Sequence, residues 1–136
     1  MLTRTLSVLF FGLLFFFTAL AGVIKEGSLS ARSDGNSITI RWLSEDETGV
    51  EKFVIERKAG ANGVFMLLTE LQPRGNNSAY QYIDETAFRI LNESIYKYQI
   101  KVQFTNGSTQ LFGPITVSHR TSDVRRTWGS IKAMFR

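Results

Sequence analysis

The sequence predicts an all-β fold, an antiparallel sandwich of two sheets, on three observations. Apolar and polar residues alternate with a period of two through most of residues 28–119. Turn-forming residues recur every eight to twelve positions. No long helical period separates the strands, which sets aside a parallel α/β sheet with crossover helices.

Each strand has its own warrant. Leu29 to Arg32 reads as a short first strand. Asn36 to Leu43 is the second: Ile38, Ile40 and Trp42 alternate with Thr39, Arg41 and Leu43, the pattern of a half-buried strand rich in β-branched and aromatic residues. Phe53-Val54-Ile55-Glu56-Arg57-Lys58 is the third. The turn Gly60-Ala61-Asn62-Gly63 leads to the fourth, the apolar run Val64 to Leu71. Pro73 to Ser78 is rich in turn formers and precedes the fifth, Ala79 to Ile83. The sixth has the clearest alternation, with Tyr96, Tyr98, Ile100, Val102 and Phe104 interleaved with Lys97, Gln99, Lys101 and Gln103. A slip of one residue would bury both lysines, so its register is strongly specified. Asn106-Gly107 marks a tight turn into Thr109 to Phe112, and the strand resumes after Gly113-Pro114 as Ile115 to Ser118. The total is seven strands in about ninety residues.

Together these residues resemble the fibronectin type III domain over residues 28–119. Trp42 stands where that family places a core tryptophan on its second strand, and Phe53 to Arg57 resembles its third. Tyr82-Ile83-Asp84 is similar to the aromatic-x-Asp end of the fifth. Ile90-Leu91-Asn92-Glu93-Ser94-Ile95-Tyr96 resembles the leucine-x-proline-x-threonine-x-tyrosine approach to the sixth, with Ile90 for the leucine and Asn92 for the proline. The resemblance implies a seven-stranded immunoglobulin-like sandwich with Trp42, Tyr82 and Tyr96 in the core. It also implies that Tyr96 is a corner tyrosine whose hydroxyl bonds to backbone upstream. Such sandwiches commonly serve as spacers, adhesion modules or docking surfaces, so the expected activity is binding rather than catalysis.

Composition narrows the chemistry further. The chain has 136 residues, 16 Lys plus Arg against 12 Asp plus Glu, one His and no Cys. That is one domain's length. Without cysteine there is no disulfide framework, thiolate metal site or cysteine nucleophile. One histidine excludes most metal-site and triad chemistry. No cofactor is expected.

Residues 1–21 form an address. Arg4 supplies a positive start, Leu6 to Leu20 is uncharged with five Phe, and Ala19-Leu20-Ala21 has the small residues of a cleavage site. This is the layout of a secretory signal helix, with residues 22–27 as a linker after it. The alternative is an uncleaved anchor, since the uncharged run from Thr5 to Ile24 is 20 residues long, enough for a bilayer core. Either reading delivers the remainder outside the cytoplasm, secreted or at the periplasm or cell envelope.

Four candidate features lie in the body. Glu45, Asp46, Glu47 and Glu51 form an acidic loop. It lacks the spacing and central glycine of a calcium loop, so it reads as solvated. A carboxylate pair there, Glu45 with Glu51, is what a small exported hydrolase would use, and an open loop would disqualify it. His119 reads as a surface or edge residue, because Ser118 beside it faces the opposite side of the strand. Arg74-Gly75-Asn76 reads as a turn, since asparagine cannot offer the carboxylate an integrin-type tripeptide needs. Asn76-Asn77-Ser78, Asn92-Glu93-Ser94 and Asn106-Gly107-Ser108 match the N-glycosylation pattern, which matters only in a eukaryotic secretory pathway.

The tail is the main binding candidate. Arg120 to Arg136 carries Arg120, Arg125, Arg126, Lys132 and Arg136 against Asp123, a net of +4, whereas residues 22–119 sum to −1. Val124, Trp128, Ile131 and Phe135 recur at helical spacing, making a short amphipathic helix or a segment disordered until bound. Gly129 weakens the helix by about 1 kcal/mol. The candidate contact residues are Arg125, Arg126, Trp128, Ile131, Lys132, Phe135 and Arg136. Three destinations compete: the chain's own sandwich, a groove on another extracytoplasmic protein, and an anionic membrane or envelope surface. Partner docking ranks above lipid adsorption, because four apolar anchors hold a bilayer weakly. Export sets nucleic acid aside as a partner.

Overall fold

The computed structural model describes residues 22–87 and 95–119. Residues 1–21, expected to be a leader, residues 88–94 with the Ile90 to Ser94 motif, and the tail from Arg120 to Arg136 lie outside them.

Seven strands follow in order: β1 Ser30–Ser33, β2 Ile38–Leu43, β3 Val50–Ala59, β4 Met66–Leu71, β5 Ala79–Asp84, β6 Ile95–Phe104 and β7 Thr109–Ser118. They form an antiparallel three-stranded sheet ordered β1-β2-β5 and an antiparallel four-stranded sheet ordered β4-β3-β6-β7. The expected seven-stranded, immunoglobulin-like sandwich is the observed architecture.

Alternation builds the interior. Ile38, Ile40 and Trp42 from one sheet face Phe53, Ile55, Tyr96, Tyr98, Ile100 and Val102 from the other, all buried. Trp42 stacks on Tyr80 across the strand pair at 5.1 Å and packs against Phe53 at 5.9 Å. Burying side chains of this size contributes about 1.5–3 kcal/mol each, which is what holds two sheets together without a disulfide. Tyr82 is half-buried and packs at the margin of this cluster.

Two boundaries differ from the sequence reading for physical reasons. The seventh strand is continuous, because its break is absorbed by a register shift opposite Tyr98–Ile100. Gly113 makes that possible: its φ is +100°, and a Cβ there would stand 3.1 Å from the Tyr98 carbonyl oxygen. Residues 22–27 are no linker. Val23 and Ile24 are core residues, Ile24 bridges to Ser44, and the Val23 carbonyl accepts the Glu45 N–H at 2.8 Å. The uncharged run from Thr5 to Ile24 thus ends in two residues that serve the sandwich.

Candidate functional site

Two ends of the sandwich collect the residues that the sequence singled out. At one end stand the starts of β3 and β5 and residues 22–24. At the other stand the ends of β5 and β7 and the start of β6.

The acidic loop belongs to the first end, and it is not the solvated loop expected. Glu47 is only 7% exposed. Its carboxylate accepts the Tyr80 hydroxyl on one oxygen and the Gly75 N–H, at 2.6 Å, on the other. Its own N–H is capped by Asn76 Oδ1 at 2.7 Å, and the Glu45 carbonyl accepts from Asn77 N at 3.2 Å. The Tyr80 hydroxyl in turn accepts the Arg74 N–H at 2.8 Å, while the Arg74 guanidinium lies 4.4 Å over the Tyr80 ring. Burial first, and then the bond to Glu47, push the Tyr80 hydroxyl pKa above its ordinary value. Thus Arg74-Gly75-Asn76 is a turn, and its job is to clasp the loop before β3. Asp46 is held below the usual carboxylate range by the hydroxyl and N–H of Thr48. Glu45 is half-buried and Glu51 exposed.

The second end is tied by Asp84, fully buried at the end of β5. Its Oδ2 accepts Arg57 at 2.7 Å and the Tyr98 hydroxyl at 2.7 Å; its Oδ1 accepts the N–H and hydroxyl of Thr86. Arg57 and Tyr98 come from the opposite sheet, so the carboxylate is a polar bolt between sheets. Burial pushes its pKa up, but the bonds from Tyr98, Arg57 and Thr86 outweigh that and hold it below the usual carboxylate range. Burial first, then Asp84, raise the Tyr98 hydroxyl far above its ordinary value. Tyr96 donates to the Ala87 carbonyl upstream, which is the corner-tyrosine bond the resemblance implied.

His119 lies at this end too, and it is neither a surface nor an edge residue: it is 7% exposed. Its Nδ1 shares a 2.6 Å hydrogen bond with the Ser33 hydroxyl, and its ring meets Tyr96 edge-on at 5.9 Å. Ser33 also accepts the Gly35 N–H at 3.1 Å. The pair fastens the end of β7 to β1, across the two sheets, at the residue just before the tail. The tail candidates Arg125, Arg126, Trp128, Ile131, Lys132, Phe135 and Arg136 lie outside the described residues, so the structure locates their root and not their contacts.

Neither of two surface depressions, about 380 and 370 Å³, is lined by Glu45, Glu51 or His119; both are bordered by Ala79, Tyr80 and Gln81. Among the described residues, no three His, Asp or Glu side chains converge as a metal-ligand set. Trp42 Nε1 is a buried nitrogen with no hydrogen-bond partner among them. The inter-sheet ties through Asp84 and His119, and the loop clasp through Glu47, were not foreseen. For Asp84 and Arg57 a signal existed, since both continue the inward parity of Tyr80-x-Tyr82 and Phe53-x-Ile55.

No family model matches the sequence, and no curated protein matches it at a significant level. Among solved structures, the chain is similar to the solution structure of a human fibronectin type III domain, the fourth of its protein. The TM-score is 0.50 at 16% identity, covering 82% of this chain and 90% of that one. A likeness at that identity speaks for architecture alone, and with the two-sheet topology and the Tyr96 corner it establishes a fibronectin type III-like fold.

Proposed function

We propose that this protein is an exported, non-catalytic binding or scaffold module. Its sandwich is a rigid body, and its basic aromatic tail docks on an extracytoplasmic partner protein, in preference to an anionic envelope or membrane surface. The fold commonly carries such roles and is typically non-catalytic. The observation that carries the reading is the arrangement of the two chain ends. Residues 22–24 pack beside the loop before β3, whereas β7 delivers His119 to the opposite end. A strand of ten residues spans about 33 Å, so whatever precedes residue 22 and whatever follows residue 119 leave the body far apart. The internal carboxylates support it as well: Asp84 and Glu47 are spent on holding sheets and loops.

The test is deletion of residues 121–136 from the exported protein. The melting transition stays where it was, while retention in the envelope fraction and co-purification with the partner are lost. Retention unchanged by the deletion would refute tail docking. A tail-less chain that melts many degrees earlier would instead mean that the tail packs on its own sandwich. The intact mass of the exported protein reads the leader, with a chain beginning at Gly22 expected.

A further inference from the structure

We propose that Asn62 is a site of spontaneous modification, where the Gly63 main-chain nitrogen displaces the side-chain amide and water opens the product to an aspartyl or isoaspartyl residue. The reactants are the chain itself, hydroxide and water. The Gly63 nitrogen, its proton lost to hydroxide, bonds to Asn62 Cγ; the Cγ–Nδ2 bond breaks and ammonia leaves. The cyclic succinimide then takes up a water. Opening at Cγ gives aspartate, opening at the main-chain carbonyl gives isoaspartate, and nothing is oxidised or reduced. Asparagine is thermolabile, and a glycine after it leaves the attacking nitrogen unshielded because it has no Cβ.

Among the described residues, three steps set an Asp or Asn before a glycine: Asp34-Gly35, Asn62-Gly63 and Asn106-Gly107. Two of them are held. Asp34 Oδ1 accepts the Asn36 and Ser37 N–H groups at 2.8 Å each, and a carboxylate offers a poor leaving group. Asn106 Oδ1 accepts the Ser108 N–H at 2.9 Å and the Ser108 hydroxyl at 2.6 Å. The Gly107 N–H meanwhile donates to the Phe104 carbonyl at 2.9 Å. Ring closure at Asn106 must therefore break bonds on both the amide and the attacking nitrogen.

Asn62 has no such restraint. It is exposed in the turn between β3 and β4, and its side chain makes no hydrogen bond among the described residues. The amide is thus free to reach the approach that ring closure needs, and a misplaced approach costs such a reaction about a hundredfold. The fold also keeps the labile pair together. A Cβ at position 63 would run into the Ala59 carbonyl oxygen, so this turn requires its glycine. Conversion replaces a neutral amide with a carboxylate and takes the sum over residues 22–119 from −1 to −2. The isoaspartyl form also lengthens the main chain of the turn by a methylene.

Peptide mapping by mass spectrometry of the purified protein, aged in warm, mildly alkaline buffer, tests this. Asn62 should convert about tenfold or more faster than Asn106, with isoaspartate found at position 62. In the guanidinium-unfolded chain the two rates should converge, because only the fold tells one Asn-Gly pair from the other. Asn62→Gln should remove the early acidic species on ion exchange and leave melting unchanged, since the larger ring closes slowly. Equal rates in the folded chain, or Asn106 leading, overturn the proposal. So does an early acidic species that persists in Asn62→Gln. A difference in rate that survives unfolding also overturns it, because flanking sequence and not hydrogen bonding would then set the order.

Discussion

The two ends of the sandwich are both closed by a buried carboxylate, yet the partners differ. Glu47 is satisfied by a phenol at the start of β5 and a backbone N–H of the loop before it. Asp84 is satisfied by a guanidinium, a phenol and a threonine, two of which come from the opposite sheet. A loop clasp restrains the chain locally, whereas a charge-paired bolt couples the sheets themselves. The difference teaches that this body keeps its fully buried charge where sheet separation would expose it, and uses a neutral partner where only a loop must be held.

The largest expected effect follows from that contrast. Asp84→Asn keeps the volume but leaves Arg57 without its counter-charge, and should cost about 3–5 kcal/mol in chemical denaturation. Glu47→Gln keeps an acceptor for the Gly75 N–H but turns its NH2 toward the Tyr80 hydroxyl, which loses its acceptor, so about 1–3 kcal/mol is expected. Equal losses in the two variants would erase the distinction between bolt and clasp.

Acid sharpens it. The folded Asp84 carboxyl titrates below its ordinary value of 3.8, so the unfolded chain binds that proton more readily. Its stabilisation is therefore complete above the ordinary carboxylate range and drains away as pH falls from about 4 through the lowered folded value. The exposed Asp34 and Asp46, also lowered, add to the same limb, so the informative quantity is the difference between parent and variant. Denaturant midpoints from pH 5 to 2 should converge for the parent and Asp84→Asn. A gap that stays constant over that range would mean the carboxylate's charge is not what holds the sheets.

How much of this was legible in the sequence depends on the range of the interaction. Ile38, Ile40 and Trp42, or Tyr96 to Val102, reveal their faces locally, because a period of two is written in consecutive residues. Tyr96 was legible through the pattern around it. The polar ties were not: Arg57 and Asp84 are 27 positions apart, Tyr80 and Glu47 33, Ser33 and His119 86. Each depends on which strands stack across the interior, and alternation says which residues point inward without saying whom they meet. Glu47 is the hardest, because a loop residue has no parity to betray it. Val23 and Ile24 were hidden differently, by continuity with the apolar run before them.

The smallest effect concerns the tail root. Ser33→Ala removes the 2.6 Å partner of His119 and the acceptor of the Gly35 N–H, but both bonds are only part-buried and neither partner is charge-paired. About 1 kcal/mol is expected, well below Asp84→Asn. Its signature should be local: faster amide exchange over Thr116 to His119, with β3 and β6 unchanged, because the bond fastens the end of β7 and not the core. If Ser33→Ala also reduces tail-dependent retention, the Ser33–His119 bond aims the tail as well as rooting it. A loss matching that of Asp84→Asn would instead make the β1–β7 tie a second bolt at the same end, and the ranking of these two ties would fall.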